Sequence, residues 1–157
     1  MTKRPGRPDR RYVAVVGGSS AGDEDCRTAE HVGRALARAQ ATLVCGGLGG
    51  VMEAACRGAK AEGGTTLGIL PGEDRDDANP WVDVAVPTGL GEARNALVVG
   101  AADALIAVGG EYGTLSEIAL ALRAGKPVFG IRTWDIPGVE AVDDAAAAVA
   151  AVLERLT

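Results

Sequence analysis

A short apolar segment that runs directly into glycines constrains the fold of this chain more than any other feature. Residues 104–108 are all apolar, which is typical of a strand buried on both faces of a parallel sheet. Beyond residues 109–113, apolar side chains recur at i, i+3, i+4 and i+7 from Leu115, the spacing of one helix face. The sequence therefore predicts a glycine-rich turn that joins a buried strand to a helix.

This turn is a candidate phosphate site. Gly109, Gly110 and Gly113 lack a Cβ atom, so a ligand can approach the backbone closely, and the first N–H groups of the helix near Thr114 can bind an anion. Thr114 and Glu117 also fit a capping box, and this purely structural interpretation stays open. We expect the helix dipole to keep Glu117 ionised and suited to stabilising a developing cation.

Two further strand-to-helix turns are rich in glycine. Residues 17–22 follow the apolar segment 12–16, and their hydroxyl and N–H groups could bind an anion or a sugar. The alternative is that this loop is simply a flexible turn. Residues 46–50 follow the segment 42–45, but Met52 occupies the place of the third glycine in a dinucleotide-binding fingerprint. The chain also lacks a Walker-type phosphate loop, so a Rossmann dehydrogenase and a Walker-type NTPase are both disfavoured.

Apolar strand patterns alternate with helical patterns along the chain, without a linker. Further strands are predicted at 65–70, 82–86 and 126–131, and helices at 24–40, 51–62, 91–102 and from about 143 onward. This order predicts an α/β fold over residues 12–157: a single doubly wound, Rossmann-like parallel sheet with helices on both faces. Ligands of such sheets bind outside the carboxyl ends of the strands, where all three glycine-rich turns lie.

Composition excludes several classes of protein. The net charge is −5, but residues 1–11 form a basic segment, which we interpret as a disordered tail. The alternative is that this segment binds nucleic acid, although the acidic remainder of the chain argues against it. Neither an apolar segment of membrane-spanning length nor a signal peptide is evident, so we expect a cytoplasmic protein without a membrane partner. The three cysteines lack metal-type spacing, and we expect reduced thiols and no metal.

The predicted helix at 91–102 is apolar nearly all round. Such a helix must be covered on more than one side, either within the domain or by a second subunit, and we therefore expect a homodimer. Arg94 lies near the start of this helix. It is either a surface arginine that reaches outward or a functional group beside the sheet edge.

These segments resemble the LOG-like family of nucleoside 5′-monophosphate phosphoribohydrolases, often labelled lysine decarboxylases. The family's motif P-G-G-x-G-T-x-x-E is matched by residues 108–117, with Val108 in place of proline and one extra residue before Gly113. Its second hallmark is an arginine on the preceding helix followed by lysine and then methionine; Arg94 fits, whereas Asn95 and Val98 depart. The resemblance runs from about residue 12 to residue 131, and the family includes a similar molybdenum-cofactor carrier branch.

The resemblance implies an enzyme that releases a free base, cytokinin-type bases included, and ribose 5-phosphate from a nucleoside monophosphate. Arg94 and Glu117 would be its catalytic residues: the carboxylate stabilises an oxocarbenium-like state and orients a water, and the guanidinium positions phosphate or base. No cofactor or metal is required. The alternative is a non-catalytic carrier of a nucleotide or of molybdenum cofactor. The predicted positions that bind the phosphate-bearing ligand are Gly18, Ser19, Gly46, Gly47, Gly109, Gly110, Gly113 and Thr114.

Overall fold

The computed structural model describes residues 10–157, and in this part of the chain strands and helices alternate. The strands are β1 (Tyr12–Gly17), β2 (Thr42–Cys45), β3 (Thr66–Leu70), β4 (Val84–Pro87), β5 (Ala104–Val108), β6 (Val128–Ile131) and β7 (Val139–Ala141). The helices are α1 (Asp23–Arg38), α2 (Val51–Ala61), α3 (Asn95–Ala101), α4 (Tyr112–Arg123) and α5 (Ala145–Arg155). Short 3-10 turns lie at Arg75–Asp77 and Gly91–Arg94.

The strands form one parallel sheet in the order β4-β3-β2-β1-β5-β6-β7. The chain builds outward from β1 to β4 and then returns to place β5 beside β1. Because α1 packs on one face of the sheet and α4 on the other, the loops that follow β1 and β5 diverge and open a crevice between them. The predicted fold class, a doubly wound Rossmann-like sheet, is confirmed.

Two apolar layers hold the helices against the sheet. Helices α1, α2 and α5 cover one face, and α3 and α4 cover the other. Strand β5 is buried at every position, as expected for a strand covered on both sides. Helices α1 and α2 pack closely at Gly33, where a Cβ atom would lie 1.9 Å from the carbonyl oxygen of Ala55.

The segment at 91–102 differs from the single helix that the sequence predicts. Gly91, with a φ of +59°, begins a 3-10 turn, and α3 begins only at Asn95. Val98 and Val99 face the core, whereas the side chain of Leu97 on the outer face is 45% exposed. The second side of this segment is therefore uncovered in the single chain.

The capping-box interpretation of Thr114 and Glu117 is wrong. A Thr114 cap requires the helix to begin at Leu115, but α4 begins three residues earlier, at Tyr112, and its N-cap residue Glu111 makes no side-chain capping hydrogen bond. Thr114 is therefore the third residue of the helix, and Glu117 lies in its second turn, too far along to cap it.

Strand β7 was not among the strands predicted from the sequence. It has only three residues, and two of them are exposed, so it lacks an apolar pattern. Residues 1–9 of the predicted basic tail lie outside the described residues. Arg10 and Arg11 precede β1 without regular structure. Within residues 10–157, no helix combines the length and apolar character needed to cross a bilayer.

Candidate functional site

A cleft of about 800 Å³ opens at the carboxyl edge of the sheet, between the loops that follow β1 and β5. The loop at residues 17–22 forms one wall, and residues 110–114 with Glu117 form the other. Arg94 and Met52 also line the cleft. This is the crevice at which the strand order reverses, the usual ligand position in a doubly wound sheet.

The start of α4 offers unpaired N–H groups to this cleft. The first bond of the helix runs from the Leu115 N–H to the Glu111 carbonyl, 3.0 Å, so the N–H groups of residues 112–114 have no helical partner. The first turn of α4 contains no acidic residue, whereas α1 begins with three acidic residues, 23–25. Of these two helix starts on the cleft, α4 is therefore the one whose charge suits an anion.

Glu117 is the buried acid of the cleft, only 7% exposed. Among the described residues, its carboxyl group has neither a hydrogen-bond partner nor an ion-pair partner. Burial raises the pKa of Glu117 to about 7, and the opposing effect of the Arg94 charge is smaller. A pKa of about 7 leaves Glu117 only partly ionised at neutral pH, contrary to the prediction that the helix dipole keeps it ionised. Glu117 lies beyond the first turn, where the effect of the dipole falls off.

A glutamate with this pKa has both protonation states available near neutral pH. Its neutral form can donate a proton to a bound molecule, and its ionised form can accept one. The carboxyl group lines the cleft and has no partner within residues 10–157, so it is free to contact a bound molecule.

Arg94 is also buried, at 8% exposure, although a surface arginine was the alternative. Its Nε donates to the carbonyl of Ile69, 2.9 Å, its Nη2 donates to the carbonyl of Gly46, 3.3 Å, and its Nη1 donates to Oδ1 of Asn95. A guanidinium has five N–H groups, so two remain beyond these three bonds. The arginine thus fixes the ends of β2 and β3 to each other and keeps donors available at the cleft.

Gly46 has a steric role that the phosphate-site prediction did not include. A Cβ atom at this position would lie 2.5 Å from Nη2 of Arg94 and 2.9 Å from Sδ of Met52. Any other residue would therefore displace the guanidinium. Position 46 lines the cleft because it makes room for Arg94.

The structure brings most of the predicted site residues to the cleft but not all of them. Those that line it are Gly18, Ser19, Gly46, Arg94, Gly110, Gly113, Thr114 and Glu117. Gly47 and Gly109 do not line it, because their backbone groups serve the scaffold: the Gly47 N–H donates to Sγ of Cys45, 3.3 Å, and the Gly109 N–H donates to the carbonyl of Ile131, 3.1 Å.

Comparison with known proteins shows which family this chain belongs to. Residues 10–155 match the family described as the SLOG cluster4 family. This chain belongs to the SLOG cluster4 family. The match confirms the resemblance to LOG-like proteins and to their molybdenum-cofactor carrier branch.

Proteins of similar sequence or structure cover between 76% and 94% of this SLOG cluster4 protein. It is 45% identical to an uncharacterized protein of Archaeoglobus fulgidus, over 76% of this chain and 79% of the other. The molybdenum cofactor binding protein of Rippkaea orientalis is 34% identical, with a TM-score of 0.90 over 94% of this chain and 98% of that one. The molybdenum cofactor carrier protein of Chlamydomonas reinhardtii is 34% identical, with a TM-score of 0.84 over 93% and 98%.

Several residues of this SLOG cluster4 site were missed by the reasoning from sequence. Asp25, Met52, Glu92 and Tyr112 all line the cleft. Tyr112 lies inside the matched motif, and its position as an aromatic residue in a glycine-rich turn could have predicted a place at the site. Asp25 could not have been found, because only the fold brings α1 to the glycine turn. Among residues 10–157, no cluster of three or more potential metal ligands occurs.

Proposed function

We propose that this protein binds a nucleoside 5′-monophosphate in the cleft and hydrolyses the bond between its base and ribose. The single observation that carries the proposal is Glu117, a buried carboxyl group without a partner in the described part of the chain, whose pKa of about 7 lets it both give and take a proton. Protein groups with such shifted pKa values in a cleft are characteristic of acid–base catalysis.

The phosphate occupies the start of α4 in this proposal. The N–H groups of residues 112–114 supply hydrogen-bond donors, and the positive end of the helix dipole adds favourable charge. Arg94 contributes its two remaining N–H groups toward phosphate or base. Gly18 and Ser19 contact the ligand from the opposite wall of the cleft.

Glu117 moves the proton. Its neutral carboxyl group donates to a nitrogen of the leaving base while the bond from C1′ to the base breaks and its electron pair passes to the base. A water oxygen then bonds to the oxocarbenium-like C1′, and the proton released by that water returns to the Glu117 carboxylate. The products are free base and ribose 5-phosphate, and the residue ends in its starting state.

The direct test is incubation with AMP and with N6-substituted AMP, followed by measurement of free base and ribose 5-phosphate. Glu117→Gln should lower base release roughly 100- to 10,000-fold, because the amide cannot transfer the proton, while leaving AMP binding nearly intact. Glu154→Gln makes the same change at an exposed residue of α5 and serves as the matched control. Full activity of the Glu117→Gln variant would refute the catalytic role.

The second candidate function is carriage of molybdenum cofactor, a phosphate-bearing ligand, without chemical conversion. The observation that favours it is the similarity to two proteins named for binding or carrying this cofactor, over nearly their whole length. Asn95, Val98 and Val108, which depart from the LOG-like motifs, also favour a diverged binding protein. Absence of base release from every purine and pyrimidine monophosphate, together with a copurifying phosphate-bearing cofactor, would establish this function instead.

The functional unit in this proposal is a homodimer in the cytoplasm, where nucleoside monophosphates are available. Large apolar side chains are exposed on edge strand β4, on α3 and on α4. Exposed apolar groups of this kind mark protein interfaces. The exposed side chains are Val84 and Val86 on β4, Leu97 on α3 and Leu120 on α4, together with Leu90 in the loop before the 3-10 turn.

A further inference from the structure

An aromatic pair lies at the rim of the cleft and has no part in the chemistry described so far. Tyr112 lines the cleft and is 80% exposed. Its ring centroid lies 6.1 Å from that of Trp134, and the two ring planes are inclined by 30°. The chain contains only two tyrosines, two tryptophans and one phenylalanine, so such a pair beside the cleft is a conspicuous use of aromatic side chains.

Hydrogen bonds tie Trp134 and its neighbour Thr133 to the glycine-rich turn. Nε1 of Trp134 donates to the carbonyl of Glu111, 3.1 Å, and Oγ1 of the adjacent Thr133 donates to the carbonyl of Gly109, 2.5 Å. The loop that follows β6 therefore braces the turn on which Tyr112 begins the helix. One side of the Tyr112 ring is supported by Trp134, and most of its surface remains open to solvent.

A tyrosine this exposed does not stabilise the fold by burial, because most of its apolar surface stays in water. An aromatic ring held at the rim of a cleft provides a surface on which a planar heterocycle can stack. The ring leaves the backbone at the same helical turn whose N–H groups face the cleft. A ligand whose phosphate lies at that turn can therefore reach the ring with its heterocycle.

We propose that Tyr112, supported by Trp134, is the stacking surface for the heterocycle of the ligand and selects heterocyclic phosphates over plain sugar phosphates. The inference rests on the proposed phosphate position at the start of α4. Purine nucleotides and phosphorylated pterins share the required chemistry, a planar ring joined to a phosphate, and the experiment separates them.

The test is calorimetric titration of the wild type, Tyr112→Leu and Tyr112→Phe with AMP, with a pterin carrying a phosphate, and with ribose 5-phosphate. Tyr112→Leu should weaken binding of the heterocyclic ligand roughly 5- to 150-fold, the usual effect of one lost stacking contact. Binding of ribose 5-phosphate should not change, which also shows that the variant is folded. Tyr112→Phe keeps the ring and should bind like the wild type.

Trp134 gives an independent readout. In a Trp81→Phe background it is the remaining tryptophan, and the heterocyclic ligand should alter its fluorescence whereas ribose 5-phosphate should not. Unchanged affinity of Tyr112→Leu for the heterocyclic ligand, or an equal loss for ribose 5-phosphate, overturns the stacking surface but leaves the proposed hydrolysis standing. Binding of the pterin phosphate alone keeps the stacking surface and removes the nucleotide hydrolase. Binding of none of the three ligands overturns both.

Discussion

Glu117 and Arg94 are both buried at the cleft, but they differ in their hydrogen-bond partners. The guanidinium is held by the carbonyls of Ile69 and Gly46 and by Asn95, whereas the carboxyl group has no protein partner in the described part of the chain. Burial without a partner disfavours the ionised carboxylate, and the nearby Arg94 charge only partly opposes this effect. We therefore propose that the arginine positions the ligand and that the glutamate transfers the proton.

The raised pKa of Glu117 makes the stability of the protein depend on pH. The folded chain retains a proton on Glu117 up to pH of about 7, whereas the unfolded chain loses it near the ordinary value of 4.5. The folded state binds more protons between these values, so this residue lowers the free energy of unfolding as pH rises through that range. A shift of this size corresponds to about 3 kcal/mol at most.

Glu117→Gln should consequently be more stable than the wild type above pH 7, with the difference disappearing below about pH 4.5. Urea unfolding at several pH values measures this difference, and Glu154→Gln is the control that should show none. A difference that is constant with pH would mean that the carboxyl group is ionised in the folded protein.

The roles of individual glycines could not be predicted from the sequence. A glycine-rich turn indicates close approach of the backbone, but it does not say which way each N–H group points. Gly47 and Gly109 were predicted to bind ligand, and both donate instead to scaffold atoms. The pKa of Glu117 was misjudged for a similar reason, because its burial depends on neighbours that are distant in the chain.

Among the secondary-structure elements, strands with fully apolar segments were predicted well. The bounds of β2 and β5 are those expected, because both strands are covered by helices on the two faces of the sheet. Segments with mixed patterns were predicted less well. The exposed strand β7 has no apolar pattern that could predict it. The positive φ of Gly91, the first residue of a 3-10 turn, cannot be predicted from an apolar pattern either.

The contact between α1 and α2 depends on glycine. At Gly33, a Cβ atom would lie 1.9 Å from the Ala55 carbonyl oxygen, so Gly33→Ala must push the two helices apart. We expect a loss of about 1–3 kcal/mol in the free energy of unfolding, the usual effect of overpacking.

Gly100→Ala is the matched control in helix α3. A Cβ atom there meets no atom within 4 Å, so the substitution should be neutral or stabilising by up to about 1 kcal/mol. Chemical denaturation of both variants decides the matter, and equal stability of the two would show that the helices do not meet as closely as described.

At the scale of the whole molecule, the topology rather than any one motif creates the site. The order of the strands brings the turns after β1 and β5 together, and it places Arg94 and Glu117 on one cleft although they are far apart in sequence. The rule for doubly wound sheets allowed the meeting of the glycine-rich turns to be predicted from the alternation of strands and helices, whereas the pairing of Arg94 with Glu117 was implied only by the resemblance to LOG-like proteins.

The exposed apolar side of α3 predicts assembly. Light scattering at micromolar concentration should give twice the 15.8 kDa mass of one chain. Leu97→Glu introduces a charge into the proposed interface and should produce the single-chain mass, whereas Ala150→Glu, on α5 at the other face of the sheet, should leave the dimer intact. A wild type that scatters as one chain would contradict the dimer.

The pH dependence of base release by the wild type tests the central claim most directly. If the neutral carboxyl group of Glu117 protonates the leaving base, the rate of base release from bound AMP should be constant below pH 7 and fall about tenfold per pH unit well above it. A rate that rises through pH 7 would instead require the ionised carboxylate, and a rate independent of pH, or no release at all, would contradict the proposed role of Glu117.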